Sequence, residues 1–588
     1  MCGLFFTNMH ADDLSSIRSQ IEKRGRDETN IVSKGQFKFL HSRLAINNFG
    51  KVGKQPIVLQ NGSLTILFNG EIYNFKELSK AYYNRHDIND TVVLGKLISD
   101  YGVNDAVAKF NGMYSIVVYD HSTSRVYCAR DQFGQKPLFY SRSMNKLRIS
   151  SSIKALAILE QAGPSENAFK AYSSFGYFPC PDTAYEGISQ FVPGTITEID
   201  AITGEVIAKS PIRYRSMNVM NSATKSDRAV AIFEKMASRH AYDGENACLM
   251  LSGGVDSTLV STFMVEHGLR RSFSVGFPDY QEFDETADAV RVASVLGLEH
   301  TTLDFSQDDY FRQVQNLGTI YEQPLGDSSA LPTSLLVKAM AGSGYKVAYG
   351  GDGGDELFFG YKRHQKFGDI YKSLSLLKNL FKAAEYLGIK FNQDKIKRLL
   401  NLCRTNSPSS FILQTRNLSR NVFDHSHLHH DAQIKDTFTK TLKYFDIESI
   451  FSNDSMVKTD RPSMHYGIEV RNPLIDFDIN MLSDLLINSD ILFYRKNKNF
   501  LKDVIRMKNP HVLKKSIKKG FSVPVDIWIR NEWKDWASDL MSDFMSQRRF
   551  DYDYEAAQLI FDNHMNNQSN SRDYIWSILM YQNWINST

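Results

Sequence analysis

The stretch "ACLMLSGGVDSTLVSTFMVEHG" (247–268) leaves the second half of this chain little choice of fold. A short apolar run, a glycine-bearing loop and an apolar-periodic segment closed by Gly268 read as strand, loop and helix. "SFSVGF" (272–277) and "YKVAYGGDGGDE" (345–356) repeat the strand-then-loop form. Alternation of this kind predicts a parallel, doubly wound sheet whose ligands sit beyond the carboxyl ends of the strands. The three loops are therefore expected to converge on one crevice. From residue 360 onward the pattern is mainly helical, as in "YEAAQLIFDNHMNNQ".

The first 205 residues have another texture, with short β-type runs such as "SLTILF", "YSIVVYD" and "VYCARD" separated by turn signals. The stretch "VIAKSPIRYRSMNVMNSATKSDR" loses clear periodicity and gathers polar and basic residues. A sheet-rich domain over 1–205, a linker over 206–227 and an α/β domain over 228–588 are expected. A chain of 588 residues is too long for one core at ~150 residues per domain.

Net charge is +3 on 69 basic and 66 acidic side chains, too balanced to predict a nucleic-acid or membrane-surface partner. The five cysteines are scattered without CxxC spacing, which fits a reduced, cytoplasmic thiol inventory. No apolar run approaches the ~18 to 20 residues of a membrane span, and the N-terminus lacks a signal-peptide layout.

In "LSGGVDST" (251–258), Ser252, Gly253 and Gly254 follow a buried-type strand and precede a helix. Glycines let backbone approach a phosphate, and helix-initial N–H groups favour its charge; the alternative is a plain glycine turn with an acidic cap. No lysine follows the glycines, so this is not a P-loop. Asp256 would repel a phosphate unless a divalent cation stood between them, which implies Mg2+. "GGDGGDE" (350–356) places Asp352, Asp355 and Glu356 among glycines, a pattern for magnesium ligation or proton transfer. Its spacing does not match a calcium loop.

These two loops, with "YEQPLGDSSALPT" (321–333) and "DRPSMHYGIEVRNPLID" (460–476), resemble the ATP pyrophosphatase domain of glutamine-dependent asparagine synthetases. The resemblance implies ATP as co-substrate, adenylation of a carboxylate with release of pyrophosphate, and displacement of AMP by ammonia. It implies an ATP site of Met250, Ser252, Gly253, Gly254, Asp256, Ser257, Val275, Gly350 and Gly351. By the same likeness Asp256 and Asp355 hold Mg2+, and Asp352, Arg461 and Arg471 serve the acyl-adenylate.

Ammonia is mostly ammonium at neutral pH, so an amide-forming enzyme needs a built-in source. With Met1 removed, Cys2 would carry a thiol nucleophile and an α-amine whose reference pKa of ~7.7 to 8 suits a general base. "HSRLAI", "FNGEIYN", "NDTVVL" and "RDQFGQKPLFY" follow in order and resemble the blocks of class II glutamine amidotransferases. That resemblance implies an Ntn-type αββα sandwich with Cys2 as nucleophile and an oxyanion hole of Asn69 and Gly70. Arg43 would then pair with the glutamine α-carboxylate, and Glu71 and Asp90 with its α-ammonium.

Val92 stands where many relatives carry an acid, and "KKGFSVPVDIW" resembles a broader set of amidotransferases. The expected acceptor is aspartate, with a sugar uronic acid as the alternative and a non-catalytic regulatory subunit as a third reading. Small-molecule substrates, and a homodimer by resemblance, are the expected partners. "HSHLHH" (425–430) lacks partner carboxylates or cysteines, so no metal is expected there.

Overall fold

The structure, a computed structural model, describes residues 1–588 except 47–52, 60–61, 85–88, 144, 215–224, 367, 370–437, 490–494, 496–497 and 514–522. "HSHLHH" and the first five residues of "KKGFSVPVDIW" lie outside the described residues.

The N-terminal region folds as two six-stranded sheets. One contains β1 (Cys2–Thr7), β2 (Glu28–Lys34), β3 (Phe37–Arg43), β8 (Phe139–Ser143), β9 (Lys146–Ser150) and β10 (Ile188–Gln190), in the order β10-β8-β9-β1-β3-β2. The other contains β4 (Ile57–Leu59), β5 (Leu64–Ile72), β6 (Gly112–Asp120), β7 (Arg125–Arg130), β11 (Thr195–Asp200) and β12 (Val206–Pro211), in the order β12-β11-β7-β6-β5-β4.

Both faces of the central strands are apolar, and side-chain alternation sorts them into layers. Leu4 and Phe6 of β1 meet Leu67 and Val117 of the facing sheet. Phe5 points the other way, onto the helices Ser15–Glu22 and Ile153–Glu160. Ile66 and Phe68 of β5 pack on the helix Asp90–Val107. The result is the αββα layering expected of an Ntn-type domain.

β12 occupies 206–211, the beginning of the stretch read as a linker, because its backbone pairs with β11 although all six residues are exposed. An edge strand needs no apolar alternation, so its sequence carried little signal.

The second region centres on a parallel sheet of β13 (Ala247–Met250), β14 (Arg271–Gly276), β15 (Glu299–Asp304), β16 (Val347–Tyr349) and β17 (Glu469–Arg471), ordered β15-β14-β13-β16-β17. The chain leaves β13 toward one edge and returns to β16 on the other side, which makes β13/β16 the switch point where such sheets bind ligands. Helices from Ala330–Gly342 to Arg572–Ser587 pack around it with Trp528, Trp533, Trp576 and Trp584 buried.

The two regions are joined by buried polar contacts. Asp460 receives Arg24 at 2.8 Å and Lys136 at 3.2 Å, and Ser152 Oγ donates to Glu322 at 2.9 Å. Asn111 Nδ2 donates to Asp476 at 2.8 Å. Arg130 and Asp131 of "RDQFGQKPLFY" are structural: the Asp131 carboxylate accepts the backbone N–H groups of Tyr114, Phe133, Gln135 and Lys136.

Candidate active sites

Cys2 begins β1 opposite Arg43 of β3, so nucleophile and carboxylate-binding candidate face each other across one strand pair. Met1 extends that pairing, with Leu44 N–H donating to Met1 O at 2.7 Å and the Met1 amine donating to Leu44 O at 3.1 Å. The Cys2 N–H donates to Asn69 Oδ1 at 3.0 Å, and Asn69 Nδ2 donates to Ser115 Oγ at 3.3 Å. Commitment of the amide oxygen to Cys2 fixes the amide N–H groups on the side where an oxyanion donor is wanted.

Gly70 follows with φ +149, and a Cβ there would lie 1.9 Å from the Met113 carbonyl oxygen. Only glycine lets β5 pass β6 this closely. Gln55 clamps Phe68, the residue before Asn69, accepting Phe68 N–H at 2.6 Å and donating to Phe68 O at 3.0 Å.

Burial pushes the Cys2 thiol up, but the neighbouring His41, the chain's own N-terminal amine and the Leu44 backbone bring it down to about 7. Half of such thiols are thiolate near neutral pH, the form that attacks carbon. His41 is buried beside it and its Nε2 lies 3.1 Å from Phe68 O.

Asp90 accepts Ile72 N–H at 3.4 Å and Thr91 N–H at 2.7 Å at the start of a helix capped by Asn89, which accepts Val92 N–H at 2.9 Å. Val92 is thus helix backbone in this structure, and Asp90 keeps its place without an acid there. Burial raises the carboxyls of both Glu71 and Asp90, and in Glu71 the charge of Asp90 adds to it. A site that makes two carboxyls resist ionisation is suited to an incoming cation.

The second site lies beyond β13 and β16. Gly253 has φ +75, and a Cβ would lie 2.6 Å from the Asp288 backbone, so the turn into helix Val255–Met264 requires glycine. Gly254 precedes that helix, Ser257 Oγ donates to Gly254 O at 3.3 Å, and Ser252 Oγ lies 3.0 Å from Ser257 Oγ. A Cβ on Gly351 would lie 2.8 Å from Ser257 N, so the two glycine loops touch. Met250 ends β13, and Val275 is buried on the adjacent β14.

Asp256 and Asp355 both bind the Lys498 ammonium. Burial pushes the Asp352 carboxyl up; the Lys458 ammonium opposes that, and Asp256, Asp355 and Asp327 reinforce it. Lys458 is held by Asp327 at 2.8 Å and Ser329 Oγ at 3.0 Å. Asp352 thus sits, with its carboxyl pushed up, in the loop whose Gly351 meets Ser257.

The donor set fits Mg2+. Two carboxylates from different loops close on one cationic atom, and among the described residues no three His, Cys, Asp or Glu side chains form a complete protein cage. Mg2+ is ordinarily held by one or two carboxylates together with substrate phosphates.

Arg461 and Arg471 do not join this cluster; both point to the domain interface. Arg461 Nη1 donates to Ser151 O at 3.4 Å and its guanidinium lies 5.1 Å from the Phe139 ring centre. Arg471 Nε donates to Glu469 at 2.6 Å, Nη1 to His240 O at 2.8 Å, and Nη2 lies 3.6 Å from Glu71. The alternation of β17 sends Glu469 and Arg471 to one face and Val470 to the other.

Similarity to known proteins agrees with this geometry. The family model described as asparagine synthase matches residues 231–586, and that of a glutamine amidotransferase domain matches residues 1–209. The chain belongs to the asparagine synthase family. It is 26% identical, over 97% of its length and 93% of the relative's, to asparagine synthetase [glutamine-hydrolyzing] 1 of Bacillus subtilis (strain 168). It is 27% identical, over 62% of its length and 76% of the relative's, to putative asparagine synthetase [glutamine-hydrolyzing] 2 of Methanocaldococcus jannaschii. Among solved structures, one titled as the allosteric regulatory enzyme of purine biosynthesis covers 52% of this chain and 80% of its own at a TM-score of 0.29 and 15% identity.

His41, Gln55, Asp327, Lys458 and Lys498 are the site residues that sequence reasoning did not assign. His41 stands inside the quoted block "HSRLAI", and Asp327 inside "YEQPLGDSSALPT". Lys498 carried no local signal, since 242 residues separate it from Asp256.

Proposed function

We propose that this chain is an ATP-dependent, glutamine-hydrolysing asparagine synthetase with a glutaminase domain over 1–205, a connecting stretch over 206–227 and a synthetase domain over 228–588. The observation that carries this reading is the Cys2–Asn69–Gly70 arrangement at 3.0 Å in a chain whose other domain joins two glycine loops at a parallel-sheet switch point.

With Met1 removed, the free amine of Cys2 takes the thiol proton and Sγ attacks the glutamine carboxamide carbon. Asn69 Nδ2–H and Gly70 N–H hold the oxyanion, worth ~3 to 4 kcal/mol per donor. Ammonia leaves with the proton, and water hydrolyses the glutamyl thioester to glutamate and free Cys2. Arg43, Glu71 and Asp90 hold the glutamine's charged end. In the second domain the aspartate β-carboxylate displaces pyrophosphate from ATP, and ammonia attacks the acyl carbon with loss of AMP. Asp352, whose carboxyl is pushed up by burial and so holds a proton more readily than an ordinary carboxylate, accepts the proton released by ammonia. Asp256 and Asp355 would hold Mg2+, which neutralises polyphosphate charge. The subunit is cytoplasmic and homodimeric in this reading.

Purified protein given glutamine, magnesium-ATP and aspartate should yield asparagine, AMP and pyrophosphate in equal amounts. Glutamate release without aspartate-dependent AMP refutes aspartate as the acceptor and points to another carboxylate, such as a uronic acid.

A further inference from the structure

The synthetase domain reaches into the glutaminase pocket. Glu469 and Arg471 share one face of β17 and are 0% and 1% exposed. Arg471 divides its guanidinium between Glu469 at 2.6 Å, the His240 carbonyl at 2.8 Å and Glu71 of the other domain at 3.6 Å, and it lies 5.6 Å from the Tyr73 ring centre. The remaining oxygen of Glu469, Oε2, lies 3.6 Å from the Met1 amine. Glu469 Oε2 and Arg471 Nη2 are both buried and make no hydrogen bond, and they are the two atoms turned toward the glutaminase domain. Buried charges left short of partners are costly, so such atoms call for a functional account.

We propose that Glu469 and Arg471 form a wall of the glutamine pocket supplied by the second domain, positioning residues that set how readily Glu71 accepts the α-ammonium of glutamine. This rests on the reading of Glu71 as part of the glutamine site. The geometry gives the two residues opposite effects. Arg471 alone would neutralise Glu71 and compete with an incoming ammonium. Glu469 draws Arg471 to itself at 2.6 Å, which leaves Glu71 the longer, weaker partner at 3.6 Å.

The charged groups facing Glu71 are Asp90 from helix Asp90–Val107, the amine of Met1, which precedes β1, and Glu469 with Arg471 from β17. Burial raises the Glu71 carboxyl most, Asp90 and Glu469 raise it further, and Arg471 and the amine lower it. Lys136 faces Glu469 from the glutaminase side.

β17 also touches the other site. It pairs with β16 in the register Tyr349↔Arg471, and Gly350 N–H donates to Arg471 O at 2.8 Å. The residue that faces Glu71 by its side chain thus holds, by its backbone, the start of the Gly350–Asp352 loop. A shift of β17 would therefore be felt at both sites, and any effect of the acceptor on glutamine affinity would be matched by linkage with an equal effect of glutamine on acceptor affinity.

The test uses full-length, Met1-processed enzyme and follows glutamate release against pH. Ionised Glu71 is the form that pairs with ammonium, so the acid limb of kcat/KM for glutamine reports on it. Glu469→Gln removes a charge that raises Glu71, and the limb moves to lower pH. Arg471→Gln removes a charge that lowers Glu71, and the limb moves to higher pH by about one unit, which raises KM about tenfold at pH values below the limb. A merely structural role gives no opposed pair of shifts. Limbs that stay in place, or move in the same direction, overturn the proposal. Should Arg471→Gln not fold, Arg471→Lys keeps a charge without the fork and moves the limb up by less; an unmoved limb there overturns the proposal equally. Wild-type enzyme that fails to hydrolyse glutamine sinks the functional reading and this inference together, whereas active wild type with unmoved variants sinks this inference alone.

Discussion

Replacing Asn69 by alanine tests the glutaminase site most sharply, because that one side chain serves two purposes. Its Oδ1 accepts the Cys2 N–H at 3.0 Å and its Nδ2, which donates to Ser115 Oγ at 3.3 Å, is the proposed oxyanion donor, while the residue itself is fully buried. Loss of one oxyanion donor costs ~3 to 4 kcal/mol in the transition state, or ~100- to 1,000-fold in kcat. Loss of the acceptor leaves a buried Cys2 donor unsatisfied, costing a further ~1 to 3 kcal/mol of stability. Asn69→Asp keeps the acceptor but places negative charge beside the oxyanion, so it should be as inactive as the alanine variant and more stable. The assay measures glutamate release at saturating glutamine, pyrophosphate release with ammonium as nitrogen source, and thermal unfolding. The reasoning is refuted if glutamine hydrolysis falls less than tenfold, or if the ammonium-dependent reaction falls as far as the glutamine-dependent one.

Alkylation of Cys2 by iodoacetamide in the chain that carries Met1 should rise through a midpoint near pH 7, below the ordinary thiol range; a midpoint above pH 8 refutes the influence assigned to His41 and the Met1 amine. Asp460→Asn breaks the buried contacts with Arg24 and Lys136 and should cost ~3 to 5 kcal/mol at neutral pH. The Arg24 and Lys136 charges hold the Asp460 carboxyl well below its ordinary value of 3.8 despite burial, so its stabilisation is present above that value and lost as pH falls below it. Denaturant midpoints of wild type and variant should therefore differ constantly from pH 7 to about 4 and converge only in stronger acid; convergence near pH 6 counts against this pairing. Gly253→Ala should weaken ATP binding and lower the thermal midpoint together, because its Cβ would lie 2.6 Å from the Asp288 backbone; isothermal titration with an ATP analogue decides it.

Much of this was legible where chemistry and chain order coincide. The glycine loops at 252–254 and 350–354 had to follow strands and precede helices, and strand–loop–helix alternation placed them at one switch point. Cys2 gained its role from blocks that strand pairing brings beside it: Arg43 through β1–β3 and Asn69 through a side-chain contact. Long-range ionic partners were not legible in this way. Lys458 lies within a helix and Lys498 at the turn before one, and neither is marked until folding sets them against Asp327, Asp256 and Asp355. Direction was the harder quantity still. "EVRNP" sits next in space to the Gly350 loop, so Arg471 was expected at the acyl-adenylate, yet one step of strand alternation decides which face its guanidinium takes.

That single step also bears on how two reactions in one chain stay matched. Ammonia released without an acceptor is lost to water, so the glutaminase gains from information about the other site. The two domains meet through buried charge: Asp460 with Arg24 and Lys136, Asp476 with Asn111, Arg471 with Glu71. Such contacts weaken steeply with small displacements, because a charge pulled from its partner in a buried site loses far more than one at a wet surface. β17 is three residues long and carries the glutaminase wall on its side chains and the Gly350 loop on its backbone. If the coupling runs through this strand, aspartate and ATP should change the KM for glutamine in wild type, and that change should vanish in Glu469→Gln while the enzyme still hydrolyses glutamine. A KM response that survives the substitution would place the coupling elsewhere in the interface.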